Sequence, residues 1–175
     1  MLSKIQLPEI VISELYKQPL IQQEKENVHI VPVTAKPEAA PGQSYKYLGK
    51  NSKHILIIVR FPNEVFLPEE HLNWITRMLD ACKLNLADVA IINDAILSTD
   101  IEKLKVQFRP QHVLLFGVEP VDIKLPISFP PFREQEYAGC IYLFTPPPDE
   151  LNEDTQQGKL LKSKLWLCLQ KMFRV

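Results

Sequence analysis

Four short apolar runs, each typical of a buried β-strand, limit the folds that this chain can adopt. Continuous rather than alternating hydrophobicity is typical of parallel strands that are covered on both faces. Helical patterns separate the first three runs, and strand–helix–strand order implies parallel pairing with right-handed crossovers. We therefore predict a three-layer α/β domain with a small, four-stranded, mainly parallel sheet flanked by helices. The four runs are 54–59, 89–92, 112–116 and 140–144.

Both helices between these runs begin with recognisable signals. Pro68, followed by Glu69 and Glu70, predicts the start of the first helix, because proline suits the first helical position and acids suit the positive end of the helix dipole. Thr99 with Glu102 three residues later predicts a capping box at the start of the second helix. The apolar residues expected to face the sheet are Leu72, Ile75, Leu79 and Cys82 in the first helix and Ile101, Leu104 and Phe108 in the second.

Residues 1–53 differ from the rest of the chain in composition. They hold five prolines and few long apolar runs, which predicts an N-terminal arm and linker, followed by a single α/β domain at 54–175. A helix of one or two turns is marginal alone in water, so we expect residues 8–20 to be a detachable recognition segment. The alternative, packing of this segment on the chain's own domain, stays open. The partner-binding residues of the segment 8–20 would be Ile12, Leu15, Tyr16 and Pro19.

The basic C-terminal segment predicts an amphipathic helix with a second partner surface. At 100° per residue, Leu160 and Leu167 point away from the apolar face and lie among Lys164, Lys171 and Arg174. Leucines ringed by basic residues suggest a contact surface for an acidic, partly apolar partner. Coverage of these leucines by the N-terminal arm is the alternative. The face expected to pack on the sheet holds Leu161, Leu165, Cys168, Leu169 and Met172, with Trp166 and Phe173 at its margin.

Motifs for catalysis or cofactor binding are absent from the sequence. It contains no Walker loop, no Gly-x-Gly-x-x-Gly, no Gly-x-Ser-x-Gly and no His or Cys pair with metal-ligand spacing, so we predict no cofactor and no metal. Cys82, Cys140 and Cys168 stand apart among apolar neighbours and predict buried, reduced thiols. Polar residues do follow the predicted strands, where open α/β sheets bind ligands. These residues, Asn63, Glu64, Asp94 and Glu119, leave open an enzyme acting on nucleotides or nucleobases.

Charge and hydropathy limit the kinds of partner and the cellular compartment that we expect for this chain. The 20 Lys and Arg against 21 Asp and Glu, a net charge of −1, argue against strong direct binding of nucleic acid. No apolar stretch approaches the ~20 residues of a membrane helix. The first residues show no signal-peptide pattern, so we expect a cytoplasmic protein without a membrane partner.

Four stretches of the chain are similar to one known family. They are 12–16 ending at Pro19, 55–59 with Leu67, Pro68 and the helix to Leu84, 114–117 with Glu119 and Pro120, and 160–169 around Leu165 and Trp166. Together they resemble the psi subunit of bacterial DNA polymerase III, within the uracil-DNA-glycosylase-like fold group, although psi has a tryptophan where this chain offers Leu15 or Tyr16. The resemblance implies a non-catalytic accessory subunit of the clamp loader. Its implied partners are the clamp-loader ATPase subunits and a second accessory subunit or single-strand-binding protein.

The motifs of active uracil-DNA glycosylases, by contrast, are missing. Such enzymes have a glycine-rich, acid-bearing turn after the first strand and a histidine in the turn after the last strand. Here the first turn, 60–64, holds no glycine, the last strand runs into three prolines at 146–148, and no histidine follows His112. The group that would stabilise the departing uracil anion is therefore absent, and the chain is not expected to be an enzyme of this kind.

Overall fold

The computed structural model describes residues 44–175, which fold into a mixed β-sheet with helices on both faces. The strands are β1 (Leu48–Gly49), β2 (Ile55–Val59), β3 (Val89–Asn93), β4 (His112–Phe116), β5 (Glu134–Tyr137) and β6 (Cys140–Thr145). The helices are α1 (Glu69–Ala81), α2 (Ile101–Phe108), α3 (Pro148–Asn152) and α4 (Gln156–Phe173), with short 3-10 helices at Leu86–Asp88 and Pro120–Ile123.

The sheet has six strands in the order β1-β3-β2-β4-β6-β5, so the prediction of four strands was wrong. The four predicted strands form its parallel centre, and β1 and β5 add one antiparallel strand at each edge. An edge strand pairs with a neighbour on one side only and often carries charged side chains. The sequence of β5, Glu-Gln-Glu-Tyr, therefore gave no strand signal.

The β1 segment, assigned by composition to the N-terminal arm, is part of this sheet. Leu48 pairs with Ile91 of β3. Tyr45 is only 2% exposed, its backbone N–H donates to Oε1 of Gln107 over 2.8 Å, and its hydroxyl donates to the carbonyl of Ser98 over 3.2 Å. The α/β part of the chain therefore includes residues before 54.

Alternate residues of each central strand face two separate cores. In β2, Ile57 belongs to a core that also holds Ile75 of α1 and Leu165 of α4. Its neighbour Leu56 belongs to the opposite core, with Leu104 of α2. Because both faces of the sheet are covered, the central strands are apolar along most of their length, as the sequence predicts, and their polar residues, such as His112 and Asn93, stand at strand ends.

The starts of α1 and α2 each lie one residue after the position that the sequence predicts. Pro68 is the N-cap of α1, whose first helical residue is Glu69. The predicted cap Thr99 was wrong by one residue, since Asp100 caps α2 and its carboxylate accepts from the N–H of Glu102 over 3.0 Å. Thr99 is buried instead and donates its hydroxyl to Asp94. The hydroxyl of Thr99 is therefore engaged by Asp94, five residues earlier on the same loop, and does not cap α2.

Most side chains expected to face the cores do so. In α4 the buried residues include Leu161, Leu165, Leu169 and Met172, whereas Cys168 is only partly buried. Cys82 and Cys140 are buried free thiols, as predicted, and the prediction for Cys168 holds only in part. No helix within residues 44–175 is long and apolar enough to cross a membrane.

Candidate functional site

Asn93, the last residue of β3, ties down the loop that follows β2. It is buried at the carboxyl edge of the sheet. Its Oδ1 accepts from the N–H of Phe61 over 3.0 Å and from the N–H of Ala95 over 3.0 Å. Its Nδ2 donates to the carbonyls of Phe61 and Glu64, each over 2.7 Å. Four satisfied hydrogen bonds give this amide a structural role.

The next residue, Asp94, accepts hydrogen bonds from two loops and is fully buried. Arg60 donates to its Oδ2 from Nε over 3.1 Å and from Nη2 over 2.8 Å, while Thr99 donates both its backbone N–H, over 3.1 Å, and its hydroxyl to Oδ1. The same Nη2 of Arg60 lies 2.6 Å from Oδ2 of Asp122. Arg60 therefore joins the loops that follow β2, β3 and β4.

The electrostatics of this edge follow from that pairing. Burial by itself lowers the pKa of Arg60, but hydrogen bonds with Asp94 and Asp122 outweigh it and raise the pKa above its ordinary value. The guanidinium is held as a structural cation between two carboxylates. Its positive charge is paired with carboxylates of the protein itself. At this edge of the sheet the guanidinium therefore holds the loops together.

The residues predicted as an alternative ligand edge lie around this braced centre. Asn63 and Glu64 are on the loop after β2, and Glu119 is on the loop after β4, the strand next to β2. The topology therefore brings these three residues to one edge of the sheet. All three side chains are exposed there. Of the four residues that the sequence singled out here, Asp94 alone is fully buried.

Sequence reasoning missed Arg60, Asn93 and Asp122 at this edge. Arg60 and Asn93 each stand at the end of an apolar run, and that polar-after-apolar position was the available signal. Asp122 lies inside a proline-rich segment and had none. Within residues 44–175 no group of three or more His, Cys, Asp or Glu side chains is placed to hold a metal ion.

The predicted surface on α4 is the second candidate. Leu160 and Leu167 are 51% and 65% exposed, on the face opposite the buried leucines. Lys164 lies with its Nζ 6.0 Å from the centroid of the Phe132 ring, and Nζ of Lys171 lies 3.4 Å from a carboxylate oxygen of Glu134. The four residues follow one another at intervals of three or four and therefore form one stripe, named here the α4 stripe.

A groove runs beside the α4 stripe, between α4 and the segment that leads into β5. It encloses about 680 Å³ and is mainly apolar. Phe132 and Pro146 form its far side, while Leu161, Lys164 and Leu167 form its α4 side. The exposed leucine at 167 therefore stands at the rim of a concave surface that can receive another apolar side chain.

The four N-terminal residues predicted to bind a partner, Ile12, Leu15, Tyr16 and Pro19, lie outside the described residues. A scan of protein-family models gave no match for the chain, and a search of curated proteins gave none either.

Proposed function

We propose that this chain is a non-catalytic binding protein whose α4 stripe docks an acidic, partly apolar protein. The observation that carries the proposal is the exposure of Leu160 and Leu167 on a helix whose other face is buried. Large apolar side chains left on one face of a surface helix mark an interaction site when polar residues surround them. Lys164 supplies charge that would select an acidic partner, whereas Lys171 already lies 3.4 Å from a carboxylate oxygen of Glu134.

The order of elements supports a more specific proposal, a psi-like accessory subunit of the bacterial replicative clamp loader. Four parallel central strands with helices on both faces agree with the uracil-DNA-glycosylase-like fold that the resemblance implies. The stretch 160–169, which resembles the closing helix of psi, lies in α4 beside the proposed docking surface. The partners would be the clamp-loader ATPase subunits and, in addition, a second accessory subunit or single-strand-binding protein.

The structural use of the carboxyl edge further favours binding over catalysis. Arg60, Asn93 and Asp94 hold loops together through satisfied hydrogen bonds. An enzyme acting on nucleotides or nucleobases would depend on Asn63, Glu64 and Glu119, which are exposed. The acids and bases of enzymes usually owe a pKa suited to catalysis to burial and to charged neighbours. At this edge the buried positions are held by the structural residues and not by these three.

Binding to the purified clamp loader tests the proposal directly. The full chain is titrated into the ATPase-subunit complex by calorimetry, and Leu160→Asp with Leu167→Asp is expected to weaken binding at least about tenfold. Val106→Asp is the matched control, because Val106 is 82% exposed on α2, over the opposite core. If the Leu160/Leu167 double variant binds as tightly as the Val106 variant, the α4 stripe is not the docking surface. If the wild-type chain does not bind at all, the clamp-loader assignment is wrong.

The proposed N-terminal contact has its own test in the full chain. Leu15→Ala with Tyr16→Ala is expected to weaken clamp-loader binding while leaving the melting temperature unchanged. Persistent binding would remove residues 12–19 from the interface. Release of uracil from uracil-containing DNA by the pure protein, abolished by Glu64→Gln, would instead establish the enzymatic alternative.

A further inference from the structure

A second groove, on the other flank of α4, lies between α4 and α1. It encloses about 210 Å³, and its floor is aliphatic. The chain has two tryptophans, and both of them, Trp74 and Trp166, line this groove. The remaining lining residues are Arg77, Met78, Lys162, Leu165 and Leu169.

Two cations stand at this groove without a nearby carboxylate. Arg77 of α1 and Lys162 of α4 have no acidic side chain within 4.0 Å among residues 44–175. The groove is thus apolar at its base and positive at its rim, with one cation on each wall.

From this arrangement we propose that the α1–α4 groove binds an acidic peptide through a single large apolar side chain. The apolar side chain would sit on Leu165, Leu169 and Met78, and flanking carboxylates would pair with Arg77 and Lys162. The site is separate from the α4 stripe and does not depend on the function proposed for it.

The size of the groove favours a peptide side chain over a small molecule. Small-molecule sites generally measure about 300–1,000 Å³, whereas this groove encloses about 210 Å³. A single side chain with an extended backbone across the rim needs less volume.

The arrangement of the tryptophans favours a peptide over single-stranded nucleic acid. Trp74 is partly buried and meets Phe116 edge-to-face, with ring centroids 5.9 Å apart. Trp166 is also partly buried, against the same core. Sequence-tolerant binding of single strands relies on open aromatic faces along an extended basic track, and the described residues that line this groove include two cations only.

Tryptophan fluorescence of the unlabelled full chain reports on this groove, because both tryptophans line it. The probe is a peptide of ten residues that contains one phenylalanine, five aspartates and no tryptophan. Saturable binding with a shifted emission is expected, and replacement of its phenylalanine by alanine should weaken binding at least about tenfold. An oligothymidylate of twelve nucleotides is the competing ligand, and tighter binding of it than of the peptide would overturn the proposal.

Charge-reversal variants then locate the site. Arg77→Glu with Lys162→Glu is expected to weaken peptide binding at least about tenfold. Lys46→Glu with Lys50→Glu changes the net charge equally at exposed positions near β1 and should leave affinity within about twofold. Equal loss in both double variants would reduce the effect to net charge and overturn the proposal. Leu160→Asp with Leu167→Asp should leave peptide binding unchanged, so the groove and the α4 stripe can fail independently.

Discussion

Arg60, the first residue after β2, donates two hydrogen bonds to Asp94, the first residue after β3, over 3.1 and 2.8 Å. The two strands are parallel neighbours, with Val59 paired to Asn93. The ion pair therefore joins two strand ends where the polypeptide leaves the sheet. Asp94 is fully buried, whereas the Arg60 side chain is 38% exposed. The buried carboxylate therefore depends on Arg60 to stabilise its charge.

Asp94→Asn is expected to lower the free energy of unfolding by about 1–3 kcal/mol. The amide keeps the shape of the carboxylate but loses its charge, and its NH2 group must face either Arg60 or the N–H of Thr99, both of which are donors, so that buried polar groups are left poorly paired. Urea denaturation followed by circular dichroism measures the change. Asp122→Asn is the control, because Asp122 is partly exposed and an exposed ion pair contributes about 0–1 kcal/mol. Equal losses in the two variants would contradict the buried role of Asp94.

Gly117→Ala should destabilise the protein more than Gly139→Ala. Both glycines have positive φ, +64° and +72°, which costs a residue with a Cβ roughly 1–2 kcal/mol. At Gly117 the added Cβ would also lie 2.8 Å from Cβ of Pro147, whereas at Gly139 it would meet nothing within 4 Å. Thermal unfolding of both variants isolates the contact with Pro147, expected to cost a further ~1–3 kcal/mol. Similar melting temperatures would show that Pro147 moves away freely.

Leu165→Ala and Leu167→Ala should differ sharply in stability, although both leucines are on α4. Leu165 is buried in the core beneath the helix, and truncation is expected to cost about 2–5 kcal/mol. Leu167 is 65% exposed, and its truncation should change the free energy of unfolding by no more than about 0.5 kcal/mol. Chemical denaturation distinguishes them, and a large loss in Leu167→Ala would mean that this leucine is covered in the free protein.

Stability should decline in alkaline solution because of Cys140. Burial raises the pKa of its thiol to about 11, against about 8.5 for an unfolded cysteine. Between these values the unfolded chain loses the thiol proton while the folded chain keeps it, so the free energy of unfolding falls by at most ~1.4 kcal/mol per pH unit. Burial also raises the pKa of Tyr142, which adds to the same trend at higher pH.

Urea denaturation of the wild-type chain at intervals from pH 8 to pH 10.5 measures this decline. Cys140→Ala removes the thiol and should flatten the slope over this range. Cys168→Ala is the comparison, since Cys168 is only partly buried and its thiol should contribute less. A slope unaffected by Cys140→Ala would assign the decline to other groups.

The central strands and the buried helix faces were predictable because burial on both sides of a sheet leaves a local record. The run 54–59 already indicates β2, and the spacing of Ile75 and Leu79 already indicates the inner face of α1. The outward position of Leu160 and Leu167 followed from helical periodicity alone. In each case the physical cause, removal of apolar surface from water, acts on neighbours a few residues apart.

The edges of the sheet were less predictable for the same reason. β5 is paired through its backbone and carries polar side chains, so strand pairing stabilises it without an apolar pattern. Thr99 and Asp100 are both good capping residues, and local sequence could not choose between them. The choice was made by Asp94, which takes the hydroxyl of Thr99 into the buried ion-pair network.

Hydrophobic spacing within single segments therefore accounts for the parallel α/β framework and for the buried faces of α1, α2 and α4. The contacts between polar residues arise only when separate segments pack together. Arg60, Asp94 and Asp122 lie in three different loops, and Trp74 and Trp166 lie on two different helices. Their hydrogen bonds and grooves depend on distances between residues far apart in the chain. Such distances are set by the packing of the whole core, which no single segment encodes.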